Sequence, residues 1–174
     1  MAVKLLLIGL CILPIVVDAK RDYVIDIEHI TPVVNDVPFV KSLNFSLTNK
    51  KAANMDLIFN RNITKWGFRA SVHMLTKGKR RINLFQVDFE GCDALKDSAP
   101  NKFLAVFKKE LLRSSNIPKK CPFIENVLYV ARNYTVDEDA FPAMLPDTAW
   151  QFQLNINMNN LNTGIIIISG RVHR

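Results

Sequence analysis

Three histidines and three cysteines are the side chains of this 174-residue sequence best suited to catalysis or metal binding. His29, His73 and His173 stand far apart, and none has a second ligand type at the spacing of a metal site. The sequence also contains no Gly-x-Ser-x-Gly, His-Glu-x-x-His or phosphate-loop motif. We therefore expect a protein that is not an enzyme and that holds no metal ion and no cofactor.

Two runs of charge are candidates for binding ions or charged ligands. The acidic run Asp137–Asp139 lacks the spacing of a calcium loop, which favours an exposed turn. The densest basic cluster contains Lys77, Lys79, Arg80 and Arg81. A solvated hairpin tip is the favoured interpretation of this cluster. Attraction to anionic lipid headgroups or an acidic ligand and proteolytic processing at its Gly-Lys-Arg sequence are the alternatives.

The first 19 residues have the pattern of a secretory signal peptide. Lys4 provides a basic start, the 13 residues from Leu5 to Val17 are uncharged and apolar, and Ala19 suits a cleavage site. The apolar run is shorter than the about 20 residues that a transmembrane helix needs. We therefore predict a signal peptide over residues 1–19, one secreted domain over residues 20–174 and no transmembrane segment. The net charge of +7 does not indicate nucleic acid as a partner, because secretion removes that partner and no basic-aromatic stripe is present.

Two cysteines remain once Cys11 leaves with the signal peptide. In an oxidising compartment, the even pair Cys92 and Cys121 argues for one disulfide. Two thiolates are too few for a zinc site. The alternative is a pair of unbonded, buried thiols.

Three Asn-x-Ser/Thr sequons begin at Asn44, Asn62 and Asn133. Apolar and polar residues alternate from Leu43 to Thr48, which places Asn44 on the solvent face of a strand. We predict glycosylation at the three positions.

Alternation of apolar and polar residues is the dominant pattern of the chain. It is unbroken from Trp150 to Met158, which predicts a strand with one face on a core. A second strand, Trp66 to Met74, meets a polar turn with a glycine before a third strand, Ile82 to Phe89, and this predicts a hairpin. Further strands are predicted near Tyr23–Glu28, Met55–Phe59, Val127–Arg132 and Ile165–Val172, the last buried on both faces because of its four consecutive isoleucines.

One segment, Ala99 to Ser115, has the period of a helix. Phe103, Val106, Phe107 and Leu111 recur at helical spacing, and charged residues occupy the other side. The helix lies between the two cysteines of the predicted disulfide. Together with the strands it predicts a mainly β fold, an antiparallel β-sandwich with one amphipathic helix in a crossover.

The apolar faces of these elements are rich in aromatic side chains. Core packing accounts for each ring, whereas a sandwich whose sheets splay apart would turn the same residues into the lining of an apolar pocket. Periodicity does not separate the two cases. Our candidates for such a lining are Trp66, Phe68, Phe85, Phe89, Trp150, Phe152 and Leu154, with Lys79 and Arg80 as candidate headgroup contacts.

The residues around the two cysteines resemble a known family. Phe89–Leu95, which reads FEGCDAL, with Cys121–Phe123 and Leu145-Pro146, resembles a large insect family of small secreted proteins. That family includes the chemosensory type-B proteins of flies, which look like distant relatives of the ganglioside activator and of ML-type lipid-recognition domains. The resemblance covers about Phe59 to Arg174. It implies an immunoglobulin-like β-sandwich or cup that holds an acyl chain between its sheets.

These observations lead to one hypothesis and one alternative. The hypothesis is a secreted, non-enzymatic carrier or presenter of a hydrophobic ligand such as a fatty acid, a hydrocarbon pheromone or a glycolipid, with a chemosensory role suggested by the resemblance. The alternative is a solid β-sandwich without a cavity that binds a receptor or another secreted protein through its surface.

Overall fold

The computed structural model describes residues 22–35, 39–76, 80–95, 102–138, 141–142, 144–158 and 161–174. The predicted signal peptide, the headgroup candidate Lys79 and the acidic residue Asp139 lie outside these ranges. The side chains of Phe103 and Val106 on the predicted helix are also outside the description.

The described chain consists mainly of β-strands, with two helices between β5 and β6. The elements are β1 (Val24–Val34), β2 (Val40–Thr48), β3 (Ala52–Phe59), β4 (Trp66–Leu75), β5 (Arg81–Glu90), α1 (Gly91–Ala94), α2 (Lys102–Ser114), β6 (Leu128–Thr135), β7 (Thr148–Met158) and β8 (Leu161–His173). Among these residues, no helix is long and apolar enough to cross a membrane.

The strands form two antiparallel sheets. The larger sheet has the order β1-β8-β7-β4-β5, and the smaller has the order β2-β3-β6. Because side chains alternate between the two faces of a strand, each sheet turns one apolar face inward. The fold is therefore a mainly β sandwich, as the alternation predicts.

The two long sides of the sandwich are closed in different ways. On one side, the backbone N–H of Ile27 in β1 donates to the carbonyl of Lys50 in the β2–β3 turn at 2.7 Å. On the other side, α2 lies between the sheets, with the ring of Phe107 stacked on Phe152 of β7 at 6.0 Å between centroids. The residue after α2, Ser115, forms a bridge to β6. One side is thus joined by backbone and the other by a packed helix.

A cluster of rings fills one end of the sandwich. Phe59, Phe123 and Tyr129 contact one another with centroids 5.2 to 5.8 Å apart, and Ile63 beside them is fully buried. The predicted disulfide is present: Cys92 is bonded to Cys121 next to this cluster.

A smaller cluster covers part of the opposite end. Tyr23 and Val172 are buried there, against Phe141 and Leu145 of the loop that leads to β7. The Tyr23 hydroxyl donates to the carbonyl of Pro142 at 2.8 Å. This loop contains the two prolines that predict an irregular segment, and its described residues form no helix or strand.

The strand and helix predictions are confirmed in position, and the structure corrects some details. Strand β1 extends to Val34, well beyond the predicted end at Glu28. Within β8, Ile167 faces outward opposite Gln153 and is only half-buried, so the predicted burial on both faces is wrong. The reason is that no further layer of the described chain covers the outer face of the larger sheet.

Candidate functional site

The main feature of the interior is a cavity of about 460 Å³ between the two sheets. This volume is within the range of about 300–1,000 Å³ that ligand pockets occupy. Its wall is almost entirely apolar. The larger sheet contributes about half of the wall. The smaller sheet, α2, and the α1 and loop residues contribute the rest; from the smaller sheet and α2 come Leu43, Phe45, Met55, Leu57, Phe107, Leu111 and Leu112, among others.

Cross-strand rows of side chains form the floor of the cavity. Ala70 of β4 lies opposite Leu154 of β7, which lies opposite Ile166 of β8. The next row is Val72, Phe152 and Ile168, formed in the same way. Side chains directly opposite one another on antiparallel strands pack closely, so each row makes a continuous apolar strip.

The structure brings together six of the nine residues that the sequence singles out. Six lie in the cavity wall: Trp66, Phe68, Phe85, Trp150, Phe152 and Leu154. Phe89 is not part of the described wall; it is buried on the edge strand β5, with its ring 5.0 Å from that of Phe68. Arg80 is exposed at the start of β5 and is also outside the wall, while Lys79 is not described.

Sequence reasoning misses much of the wall. Ile25, Ile27 and Ile30 of β1 contribute to it, as do Leu43 and Phe45 of β2. Four of the five belong to segments of unbroken alternation, so the period that identifies the strands was the available signal for them. Ile30 lies beyond a bulge between Ile27 and His29, which shifts the alternation. What the period does not show is which inward-facing residues border open space and which are packed.

Few polar groups reach the cavity, and most of them bond to the protein. Thr163 donates its hydroxyl to the carbonyl of Ile156 at 2.9 Å, and Thr148 donates to that of Leu75 at 3.3 Å. The Asn54 side chain accepts a hydrogen bond from the backbone of Asn133. These groups therefore add little polarity to the surface that a ligand would meet.

Two polar side chains of the wall differ from the others. Lys108 of α2 is the one charged residue among the described residues of the wall, and it also has an interaction within the protein. Tyr134 of β6 lies in the wall as well. Burial, and secondarily the carboxylate of Glu110, raises the pKa of Tyr134 far above its usual value. Its phenol therefore keeps its O–H even above the alkaline pH at which an exposed tyrosine ionises.

The two tryptophans of the wall contribute apolar surface. Their indole nitrogens are buried and have no hydrogen-bond partner in the described part of the chain. Each ring lies against a glycine: a Cβ at Gly91 would lie 2.2 Å from the ring of Trp66, and one at Gly170 would lie 2.9 Å from that of Trp150. The glycines are needed because any side chain would occupy the place of an indole.

The three histidines lie on strands β1, β4 and β8 of the larger sheet and are not part of the described cavity wall. His73 lies on the outer face of β4, 3.2 Å from the hydroxyl of Ser71, and burial together with Arg81 lowers its pKa. His173 lies 3.0 Å from a carboxylate oxygen of Asp26 at the surface. No cluster of three or more His, Cys, Asp or Glu side chains suited to a metal ion occurs within the described ranges.

The three sequon asparagines are exposed on the surface. Asn44 lies on β2, Asn133 on β6, and Asn62 in the segment between β3 and β4. The Asn62 side-chain oxygen accepts a hydrogen bond from the backbone of Glu125 at 2.9 Å, which leaves its amide nitrogen directed elsewhere. Glycosylation of the three positions stays a prediction.

Comparison with known proteins gives one family match. No curated protein matches the chain. The matched stretch begins in β4 and ends in β7, so it includes β5, both helices, β6 and the disulfide, and it covers just under half of the chain. Residues 68–152 are similar to a family described as a protein of unknown function, DUF1091.

Proposed function

We propose that this protein is a secreted, non-enzymatic carrier or presenter of a hydrophobic ligand such as a fatty acid, a hydrocarbon pheromone or a glycolipid. The observation that carries the proposal is the apolar cavity of about 460 Å³ between the sheets. Soluble domains normally pack their interiors to high density and leave few voids larger than a water molecule. A large cavity with an apolar wall therefore supports the proposal that the protein binds a hydrophobic ligand there.

Burial of a hydrocarbon chain supplies the affinity in this proposal. Each buried methylene contributes about 0.8 kcal/mol, so ten of them offer about 8 kcal/mol before the costs of ordering the ligand. The hydroxyls of Thr148 and Thr163 already donate hydrogen bonds to the protein, so they do not require a polar group at a particular position of the ligand. We expect selectivity for chain length to exceed selectivity for chain chemistry.

The direct test is native mass spectrometry of protein purified from a secreting cell, before and after incubation with defined lipids. A stoichiometric mass increase that requires the folded protein supports the carrier function. Spectra that stay free of ligand across fatty acids, long-chain hydrocarbons and glycolipids would contradict it.

A larger side chain on the cavity floor should shorten the preferred ligand. Leu154→Trp places an indole in the row that Leu154 forms with Ala70 and Ile166, and we expect it to displace about two methylenes of the ligand. Palmitate binding should weaken about tenfold to twentyfold, while binding of the shorter decanoate should change little. Competition with a fluorescent fatty acid measures both affinities. The matched control is Gln153→Trp, whose side chain is on the outer face of the same strand; a similar loss in the control would refute the assignment.

Lys108 is proposed as the contact for a ligand headgroup, in place of the sequence candidates Lys79 and Arg80. Hydrogen bonds to charged groups contribute about 1.5–3 kcal/mol, so Lys108→Met should weaken palmitate binding at least about tenfold and leave hexadecanol binding nearly unchanged. Lys109→Met, an exposed neighbour on α2, is the control. Equal losses for the acid and the alcohol would exclude a headgroup role.

The resemblance to secreted chemosensory proteins of insects and to ML-type domains is part of this proposal. The sandwich with a gap between its sheets and the disulfide next to the helical crossover support it. Binding of a receptor or another secreted protein through the surface is compatible with the same fold. We favour the carrier because a protein-binding sandwich has no need of an interior void.

A further inference from the structure

The beginning of β5 projects beyond the cover of the smaller sheet. Four consecutive residues, Arg81 to Leu84, are exposed, although consecutive residues of a strand point to opposite faces. Both faces of this segment are therefore open. Two of its residues are large and apolar: Ile82 is 45% exposed and Leu84 is 52% exposed.

A third exposed apolar side chain occurs at the same end of the larger sheet. Met144, 77% exposed, belongs to the loop that leads into β7. The hydroxyl of Thr148, at the start of β7, donates to the carbonyl of Leu75 at the end of β4, so this loop and the β4–β5 hairpin end together. We call Arg80, Arg81, Ile82, Leu84 and Met144 the hairpin surface.

The charge of the hairpin surface is positive. Neither Arg80 nor Arg81 has an ion pair with a residue that the structure describes, whereas Arg69 further along the same hairpin is paired with Asp88 at 2.6 Å. The whole chain carries a net charge of +7. Exposed aliphatic side chains next to Arg80 and Arg81 are complementary to a surface that has negative charge outside and an apolar interior, as an anionic membrane has. They are less complementary to the surface of a neutral protein.

The hairpin surface adjoins the cavity. Leu84 is part of the cavity wall, and Met74, opposite Ile82 in the register of the hairpin, is too. A surface that contacts the hairpin end would therefore contact the rim of the cavity. Leu128 and Leu161, which are exposed at the other end, are not part of the described wall, whereas the exposed Val33 and Val34 of β1 are. The arginines without an ion pair to a described residue are what set the hairpin surface apart from Val33 and Val34.

We propose that the hairpin surface docks the protein on membranes that contain anionic lipids. Ile82, Leu84 and Met144 insert among the headgroups and upper acyl chains, and Arg80 and Arg81 bind lipid phosphates. Apolar insertion combined with electrostatic attraction is the general basis of reversible peripheral binding. Docking does not require a loaded cavity, so this inference stands apart from the carrier function.

The test is co-sedimentation of the protein with phosphatidylcholine vesicles, with and without phosphatidylserine, at low and high salt. We expect binding only with phosphatidylserine and weakening by salt, because surface attraction is screened by ions. Arg80→Glu with Arg81→Glu, and separately Ile82→Asn with Met144→Asn, should each reduce partitioning at least tenfold. The second pair leaves the described cavity wall unaltered.

Matched controls carry equivalent changes at other exposed positions. Lys119→Glu with Lys120→Glu reverses two exposed charges, and Leu128→Gln with Leu161→Gln replaces two apolar residues that are 49% and 56% exposed. Glutamine is used here because asparagine at position 161 would create an Asn-Asn-Thr glycosylation sequon. Near-normal vesicle binding by both controls supports the proposal. Equal losses in the controls, binding that is indifferent to phosphatidylserine, or a concentration-dependent dimer that the Ile82→Asn variant abolishes would overturn it.

The two proposals fail separately. Native mass spectra recorded without vesicles report the occupancy of the cavity, and sedimentation reports docking. A protein that sediments with anionic vesicles but never retains a ligand contradicts only the carrier function. A ligand-bound protein that ignores vesicles contradicts only the docking.

Discussion

Gly170→Ala is expected to destabilise the fold by about 3 kcal/mol or more, at or above the top of the range that is usual for overpacked interiors. The added Cβ would lie 1.8 Å from the carbonyl oxygen of Asp26 and 2.9 Å from ring atom Cζ2 of Trp150. The first contact is with backbone of the paired strand β1, which has no rotamer to change. Relief therefore requires β1 and β8 to separate.

Thermal unfolding monitored by circular dichroism measures this effect. At about 2–4 °C per kcal/mol for a chain of this size, the midpoint should fall by at least about 6 °C. Ser169→Ala is the matched control, since it alters the neighbouring residue on the opposite face of β8. A midpoint for Gly170→Ala within 2 °C of the control, about the effect of 1 kcal/mol or less, would mean that β1 does not approach β8 as closely as described.

Loss of the disulfide is expected to have an effect of similar size. Cys92 and Cys121 are 29 residues apart, and the entropy of closing such a loop in the unfolded chain corresponds to about 3–4 kcal/mol. The double variant Cys92→Ser with Cys121→Ser should therefore unfold at a much lower urea concentration. Because the bond joins both ends of the segment that contains α2, ligand affinity should fall as well.

Reduction of the wild-type protein provides the control for the serine variant. With dithiothreitol, the wild-type protein should unfold at the urea midpoint of the double variant, and the variant itself should not respond to the reductant. A wild-type protein whose urea midpoint is indifferent to reduction would show that the bond adds no stability.

The sequence contains enough information to identify the strands. From Trp150 to Met158 the alternation runs without a break, and β7 occupies Thr148–Met158. The prediction for β1 stops at Glu28 because a bulge between Ile27 and His29 changes which residues face inward. A bulge adds one residue and shifts the alternation, so a fixed period cannot follow the strand beyond it.

The cavity is harder to derive from the sequence than the fold. Alternation states that Phe68 and Phe89 share a face, and the register confirms that they are opposite each other. Only Phe68 of this pair reaches the cavity wall, since the Phe89 ring packs against the Phe68 ring; Phe85 of the same edge strand does reach the wall. The distance between the two sheets depends on α2 and on the residue clusters at both ends of the sandwich together. A local sequence pattern therefore does not predict this distance.

The same limit applies to the polar residues of the site. In the sequence, nothing separates Lys108 from its neighbour Lys109, and both look like surface residues of an amphipathic helix. In the structure, Lys109 is indeed exposed. The place of Lys108 in the cavity wall follows from how α2 lies between the sheets. Conversely, the basic run at the hairpin attracts notice in the sequence, yet the structure places Arg80 outside the cavity wall.

In the proposed carrier, the rows of side chains that cross the floor of the cavity would allow its shape to change through a few substitutions. Ala70, Leu154 and Ile166 are immediate neighbours in one row, so enlargement of one side chain can be balanced by reduction of the next. Such paired exchanges would alter the contour of the hollow and leave the backbone hydrogen bonds of three strands in place. Under the proposed carrier function, pairs of compensating substitutions would thus change the preferred ligand while the sheet stays folded.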